Sequence, residues 1–195
     1  MRGSEHGTPG ASAARVAGAL RARGNASAAN WYAGRDGEVA TGLALRPMVW
    51  LFGARVFHDY QLPNQKTNAD HTVFSRRGNF YVDSKQWDRH AELVMRGGAL
   101  YRDRQPVDFS VSMREAQTIA SYCSCRIIPV VVIHGAQVPP LGYTPRTQYG
   151  QRIAVVDWRG LWRLVWGSPH RQDEDKVKHL AERFQERFTG YTAGR

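Results

Sequence analysis

The sequence predicts a mixed α/β domain built around a central sheet, and three stretches carry that prediction. Ile127 to Ile133 is a continuous apolar run with three successive valines, the pattern of a strand buried on both faces. Asp70 to Ser75 and Asn79 to Lys85 are two short strand-like runs joined by a turn at Arg77-Gly78. Asp173 to Phe188 places Val177, Leu180, Phe184 and Phe188 on one helical stripe, with Gly190 to end the helix.

The remaining elements follow in order. Residues 1–30 are rich in Gly, Ala, Ser and Arg. Ala11 to Arg23 has helical composition, but Val16 and Leu20 are its only large apolar residues. With so little to bury, residues 1–30 are expected to be a flexible basic arm or a loosely docked helix. The folded unit is expected over 31–170, with 171–195 as a C-terminal helix packed on it. Asp36 to Arg46 reads as a helix with Val39, Leu43 and Trp31 on one side, and Pro47 predicts a break. Ala54 to Tyr60 reads as a strand and Leu62 to Asn68, with Pro63, Asn64 and Asn68, as a loop. Gly97-Gly98 predicts a second hairpin between Glu92–Arg96 and Ala99–Arg102. Asp108 to Tyr122 is helical in pattern, Ile153 to Val156 is a buried strand, and Leu161 to Trp166 is ambiguous between the two.

Charge narrows the class of partner. The chain of 195 residues has 27 Lys plus Arg against 17 Asp plus Glu, a net charge of +10 and a pI near 10.1. Such a cation attracts polyanions, chiefly nucleic acid or an anionic membrane surface. The plain alternative is a basic surface with no such partner. The two cysteines, Cys123 and Cys125, cannot complete a zinc site and read as reduced thiols. Met1 to Gly10 lacks the apolar core of a signal peptide, and Met48 to Phe52 is too short to cross a bilayer. A cytoplasmic location is expected.

Three segments carry candidate chemistry: Asp36-Gly37-Glu38, Asn68-Ala69-Asp70-His71 and Asp83-Ser84-Lys85. Paired strands lie about 5 Å apart, so carboxylates on each can converge on one ion. Side chains two apart share a face of a strand, so Asp83 and Lys85 point one way and Ser84 and His71 the other. Hard divalent ions take oxygen ligands, commonly one or two carboxylates with waters and a substrate phosphate. A neighbouring lysine stabilises the negative charge that develops on a phosphate. The plain alternative for Asp83 and Lys85 is an ion pair at a strand end.

The stretch from Gly37 to about Trp166 resembles the nuclease-related domain (NERD) family of the PD-(D/E)XK nuclease superfamily. The resemblance rests on Gly37-Glu38, on Leu62-Pro63 before Asn68-Ala69-Asp70-His71, and on Asn79 through Trp87. Arg114-Glu115-Ala116-Gln117 and the run from Pro129 to Gln137 complete it. It implies a restriction-endonuclease-like core, a mixed central β-sheet flanked by helices. It also implies Mg²⁺- or Mn²⁺-dependent hydrolysis of phosphodiester bonds in DNA. Carried over residue by residue, Asp70 and Asp83 would be metal ligands, joined by Glu38 and the Ser84 backbone carbonyl. Lys85 would be the catalytic lysine, and Gln117 would help position the phosphate or the lysine. The sequence departs from the family pattern at Asp83, where Glu is more usual, and at Ala69, where a larger apolar residue is usual. A non-catalytic nucleic-acid-binding module on the same fold is the alternative, and a protein-interaction domain a third reading.

The other notable residues have two readings each. Arg76 and Arg77 at the hairpin turn, and Arg102 and Arg104 near the second, are candidate phosphate contacts or solvated surface. His58, His90 and His134 lack zinc spacing. Trp87, Trp158, Trp162 and Trp166 fit a base-stacking role, but core packing is the expectation from their apolar neighbours.

Overall fold

The computed structural model describes residues 3–63, 67–147 and 150–190. The middle of the expected 62–68 loop and the last five residues of the C-terminal unit therefore lie outside the described residues. The chain runs β1 (Ser4–His6), α1 (Ala11–Ala22), α2 (Ala28–Phe52), β2 (Arg55–Gln61), β3 (Asn68–Ser75) and β4 (Gly78–Gln86). It continues through β5 (Leu93–Arg96), β6 (Ala99–Arg102), β7 (Gln105–Pro106), α3 (Ser110–Cys123) and β8 (Ile128–His134). It closes with β9 (Ala154–Val156), α4 (Trp158–Trp166), α5 (Glu174–Arg187) and β10 (Thr189–Gly190).

Among the described residues the main sheet is mixed, in the order β1-β2-β3-β4-β8-β9, with β10 also on β2. β2, β3 and β4 are antiparallel neighbours, while β4, β8 and β9 run parallel. The central strands earn their position by composition. Val130, Val131, Val132 and Ile133 of β8 are all buried, because helices cover both faces. One layer packs α3 and α5 against Phe57, Phe74 and Tyr81, with Ile119, Val177 and Phe184 from the helices. The other packs α2 and α4 against Val56, Val73, Val82 and Val132 through Leu45, Met48, Leu161 and Val165. This is the helix-flanked mixed sheet that the resemblance implies.

Several expectations are corrected. Residues 1–30 contain no free arm over their described part. β1 extends the sheet by parallel pairing with β2, and α1 buries Ala13 and Ala17 against its neighbours. Backbone pairing and close approach through small residues supply the anchoring that large apolar side chains would have given. Pro47 does not end a helix; it lies inside α2. Pro47 removes the hydrogen bond to the carbonyl of Leu43, and both residues are exposed, so water can satisfy that oxygen. The turn of the first hairpin is Arg76-Arg77, since Ser75 pairs with Gly78, which carries the positive φ of 123°. Leu161–Trp166 resolves as helix α4, capped by the Asp157 carboxylate accepting from the Gly160 amide. The four tryptophans divide: Trp87, and Trp162 partly buried against the α2–α4 layer, pack as expected, and the other two do not. Trp87 is 8% exposed, but Trp158 is 47% and Trp166 59% exposed. The buried stripe of α4 is Leu161 and Val165, and Trp158, Trp162 and Trp166 follow one another at fourfold spacing on a different face.

Candidate functional site

β3 and β4 set the site. The β3–β4 ladder ends at the His71–Val82 pair, and Asp70 and Asp83 lie just beyond it at the same end of the two strands. The Ser84 amide donates a 2.8 Å hydrogen bond to Asp70 Oδ2, which ties the end of β3 to β4. Asp83 and Lys85, two apart, share a face, and Lys85 Nζ sits 2.8 Å from Asp83 Oδ1. Ser112, on the first turn of α3, donates to Asp83 Oδ2. From α2 comes Glu38. Glu38, Asp70, Asp83 and Lys85 together line one cavity of about 510 Å³. Three separate elements therefore bring these four side chains to one place. Gly37, buried beside Glu38, marks where α2 passes β4, with its Cβ position at the ordinary contact distance of 3.6 Å from the Gln86 side chain.

The electrostatics are those of crowded carboxylates. Burial, and then the charges of Glu38 and Asp83, push the Asp70 carboxyl well above its ordinary range. Burial, and then the Asp59 charge, raise Glu38 to about 7, with Asp83 adding to the rise. Burial pulls the Lys85 ammonium down, but Asp83 and Asp70 more than offset it, so Lys85 is held protonated above its usual value. Lys85 remains reachable, with its side chain 44% exposed.

The opposite face of β4 is a buried hydrogen-bond chain. Glu5 meets His58 Nε2 at 3.0 Å, and His58 Nδ1 meets His71 Nδ1 at 2.7 Å. His71 Nε2 meets Ser84 Oγ at 3.1 Å, Ser84 Oγ donates to Thr41 Oγ1 at 2.8 Å, and Thr41 meets His134 Nε2 at 2.7 Å. His71 thus packs away from the cavity, as alternation along the strand requires. The Ser84 side chain does the same, and only its backbone faces Asp70.

Three nucleic-acid contacts expected from the sequence do not join the cavity. Gln117 is exposed on α3 and lines no part of it. Two residues earlier, Glu115 takes that place and accepts a 2.5 Å hydrogen bond from the Tyr81 hydroxyl. A shift of two positions turns a helix by more than half a revolution, which is why the neighbouring residue was the wrong one. Arg76 and Arg77 sit at the far end of the hairpin, six residues from Asp70 and Asp83, or about 20 Å along the strands. Arg77 stacks over the Phe52 and Trp166 rings and bonds the Trp166 carbonyl. Sequence reasoning missed Glu115 and Trp31 at this cavity, and Ser112, buried behind it, as the partner of Asp83. Trp31 was legible in part: it precedes Glu38 by seven residues, two helical turns, and so shares its side of α2.

Among the described residues no three His, Cys, Asp or Glu side chains form a ready metal cage. The donor chemistry still suits a hard cation. Carboxylate oxygens are the ligands at hand, and Mg²⁺ needs only one or two of them, with waters completing its shell. A divalent ion would also offset the burial and the carboxylate repulsion that raise Asp70 and Glu38. Among the described residues no helix is long and apolar enough to cross a membrane.

No curated protein and no solved structure matches the chain. The family model of the nuclease-related domain, NERD, matches residues 33–134, just over half of the chain and the part that contributes Glu38, Asp70, Asp83, Lys85 and Glu115. The chain therefore belongs to the nuclease-related domain family.

Proposed function

We propose that this protein is a Mg²⁺- or Mn²⁺-dependent nuclease that hydrolyses phosphodiester bonds in DNA. One observation carries the reading: Glu38, Asp70, Asp83 and Lys85, drawn from α2, β3 and β4, line a single cavity. Asp70 and Asp83 would hold the ion, with the Ser84 carbonyl and Glu38 as further oxygen donors. Once bound, such an ion supplies charge neutralisation at the phosphate and a more acidic water.

The chain's own residues do the rest. Lys85, kept protonated by two carboxylates, places its Nζ proton against a non-bridging phosphate oxygen as charge develops there. Beside a bound cation Glu38 would be held ionised, as an oxygen donor to the ion or to its water. Ser112 and the Ser84 amide hold Asp83 and Asp70 in place. The net charge of +10 favours encounter with a polyanion.

One feature favours a second reading, a non-catalytic nucleic-acid-binding module. Both Asp83 oxygens are already engaged, by Lys85 and by Ser112. Incubation of the purified chain with supercoiled and linear DNA decides between them. Nuclease action requires cleavage with Mg²⁺ or Mn²⁺, none in EDTA, and loss in Asp83→Ala. Salt-sensitive binding without cleavage in either metal selects the second reading.

A further inference from the structure

The cavity has a wall that the family does not supply. Ser12, Ala13, Arg15 and Val16 of α1, with Trp31 of α2, line the same cavity as Asp70, Asp83 and Lys85. All five precede residue 33, where the family match begins. This wall is fastened at several points. β1 pairs with Arg55–Phe57 of β2. Asp59, which stands opposite Asp70 at a gap in the β2–β3 ladder with φ 55°, accepts from the Ser12 amide at 2.5 Å and from Asn68 at 2.8 Å. Gly42 leaves room for Pro9, whose ring would lie 2.6 Å from any Cβ there. The α1 wall therefore belongs to the folded domain.

A fixed wall limits what can reach the carboxylates. A cavity of about 510 Å³ is of the size that encloses one small ligand, in the general range of about 300–1,000 Å³. A nucleotide or two fits such a space. A double helix, wider than its major groove of about 12 Å, is too large to enter a space of about 510 Å³, whereas an unpaired strand can place a base in it. The lining also offers what a single strand needs. Trp31 is 44% exposed and Val111 46% exposed, and both line the cavity with Val16. Arg15 and Lys85 add positive charge. Aromatic faces beside cations are the general means of holding unpaired bases.

Building on the nuclease reading, we infer that the site takes single-stranded nucleic acid, with one base stacked on Trp31 and its phosphate directed to Lys85, and that the α1 wall excludes duplex. The test is fluorescence anisotropy of a labelled 12-nucleotide DNA, the same sequence as RNA, and the 12-base-pair duplex, titrated with the full chain in EDTA. At least one single strand should bind about tenfold or more tightly than duplex. Trp31→Ala should weaken that binding about 5- to 100-fold, and Trp31→Phe, which keeps a stacking face, should restore most of it. Trp31 is nearly half exposed, and retained thermal unfolding checks that both variants fold.

Duplex binding as tight as single-strand binding, or a Trp31→Ala variant that binds like wild type, overturns the inference. The two readings fail separately. A chain that binds single strands through Trp31 but cleaves nothing keeps this inference and loses the nuclease. A chain that cleaves duplex with metal, indifferent to Trp31, keeps the nuclease and loses this inference.

Discussion

The Ser84 amide donates to Asp70 Oδ2 at 2.8 Å, so the backbone of one strand orients the carboxylate of the next. That bond lies between Asp83 and Lys85 in sequence. It makes the three acidic and basic groups of the β3–β4 pair a single unit, with Glu38 and Glu115 approaching from the helices.

The first prediction concerns the cation. Asp70→Asn and Asp83→Ala should each remove most Mn²⁺ binding by isothermal titration. Each should also cut cleavage at least about 10²-fold, the scale on which loss of one electrostatic stabiliser is felt. Unchanged binding in both variants would place the ion elsewhere.

Lys85→Met separates catalysis from metal binding. Removing the ammonium frees Asp83 Oδ1, which it holds at 2.8 Å, and should leave metal affinity equal or tighter. Cleavage should fall by about 10²–10³-fold, because the lysine acts on the charge developing at the phosphate. A variant that cleaves at the wild-type rate would assign that role to another group.

Acid should unsettle the buried histidine chain. Burial lowers both His58 and His71 below the ordinary 6.5, and the 2.7 Å contact between their Nδ1 atoms needs one ring neutral and accepting. Their surroundings include Glu5 and Asp59, which oppose the shift in His58, and Arg46 and His134, which add to the shifts in His58 and His71 respectively. Below 6.5 the unfolded chain binds protons that the folded rings refuse, so stability is full above that value and falls as pH drops beneath it. Glu38 and Asp70 act with the opposite sign, since their raised values favour the folded state in acid. The histidine contribution is therefore read as a difference. Between about pH 7 and pH 5.5, urea denaturation should show wild type losing more stability than His58→Gln. Equal losses would clear the histidines.

Pro47 offers a test of the fold. It lies exposed inside α2, where proline costs a hydrogen bond. Pro47→Ala should raise stability by about 2 kcal/mol, or about 5 °C in Tm. A lower Tm would mean that proline stiffens the unfolded chain by more than it weakens the helix.

Residue pattern alone places the local elements: β8 from its valines, the β3–β4 hairpin from its two strand-like runs, and α5 from its stripe. It also determined which acids could act together, because a strand period of two places Asp83 with Lys85 and turns Ser84 and His71 away. Tertiary structure decided what distant segments share. Periodicity within a segment says nothing of which segment packs against it. Hence the docking of α1 through β1 and Asp59, the choice of Glu115 over Gln117, and the remoteness of Arg76 and Arg77 emerged only from the folded chain. The N-terminal residues looked like a tail because they carry few large apolar groups. They are held instead by backbone pairing and by close contact of small residues, forces that leave little trace in composition.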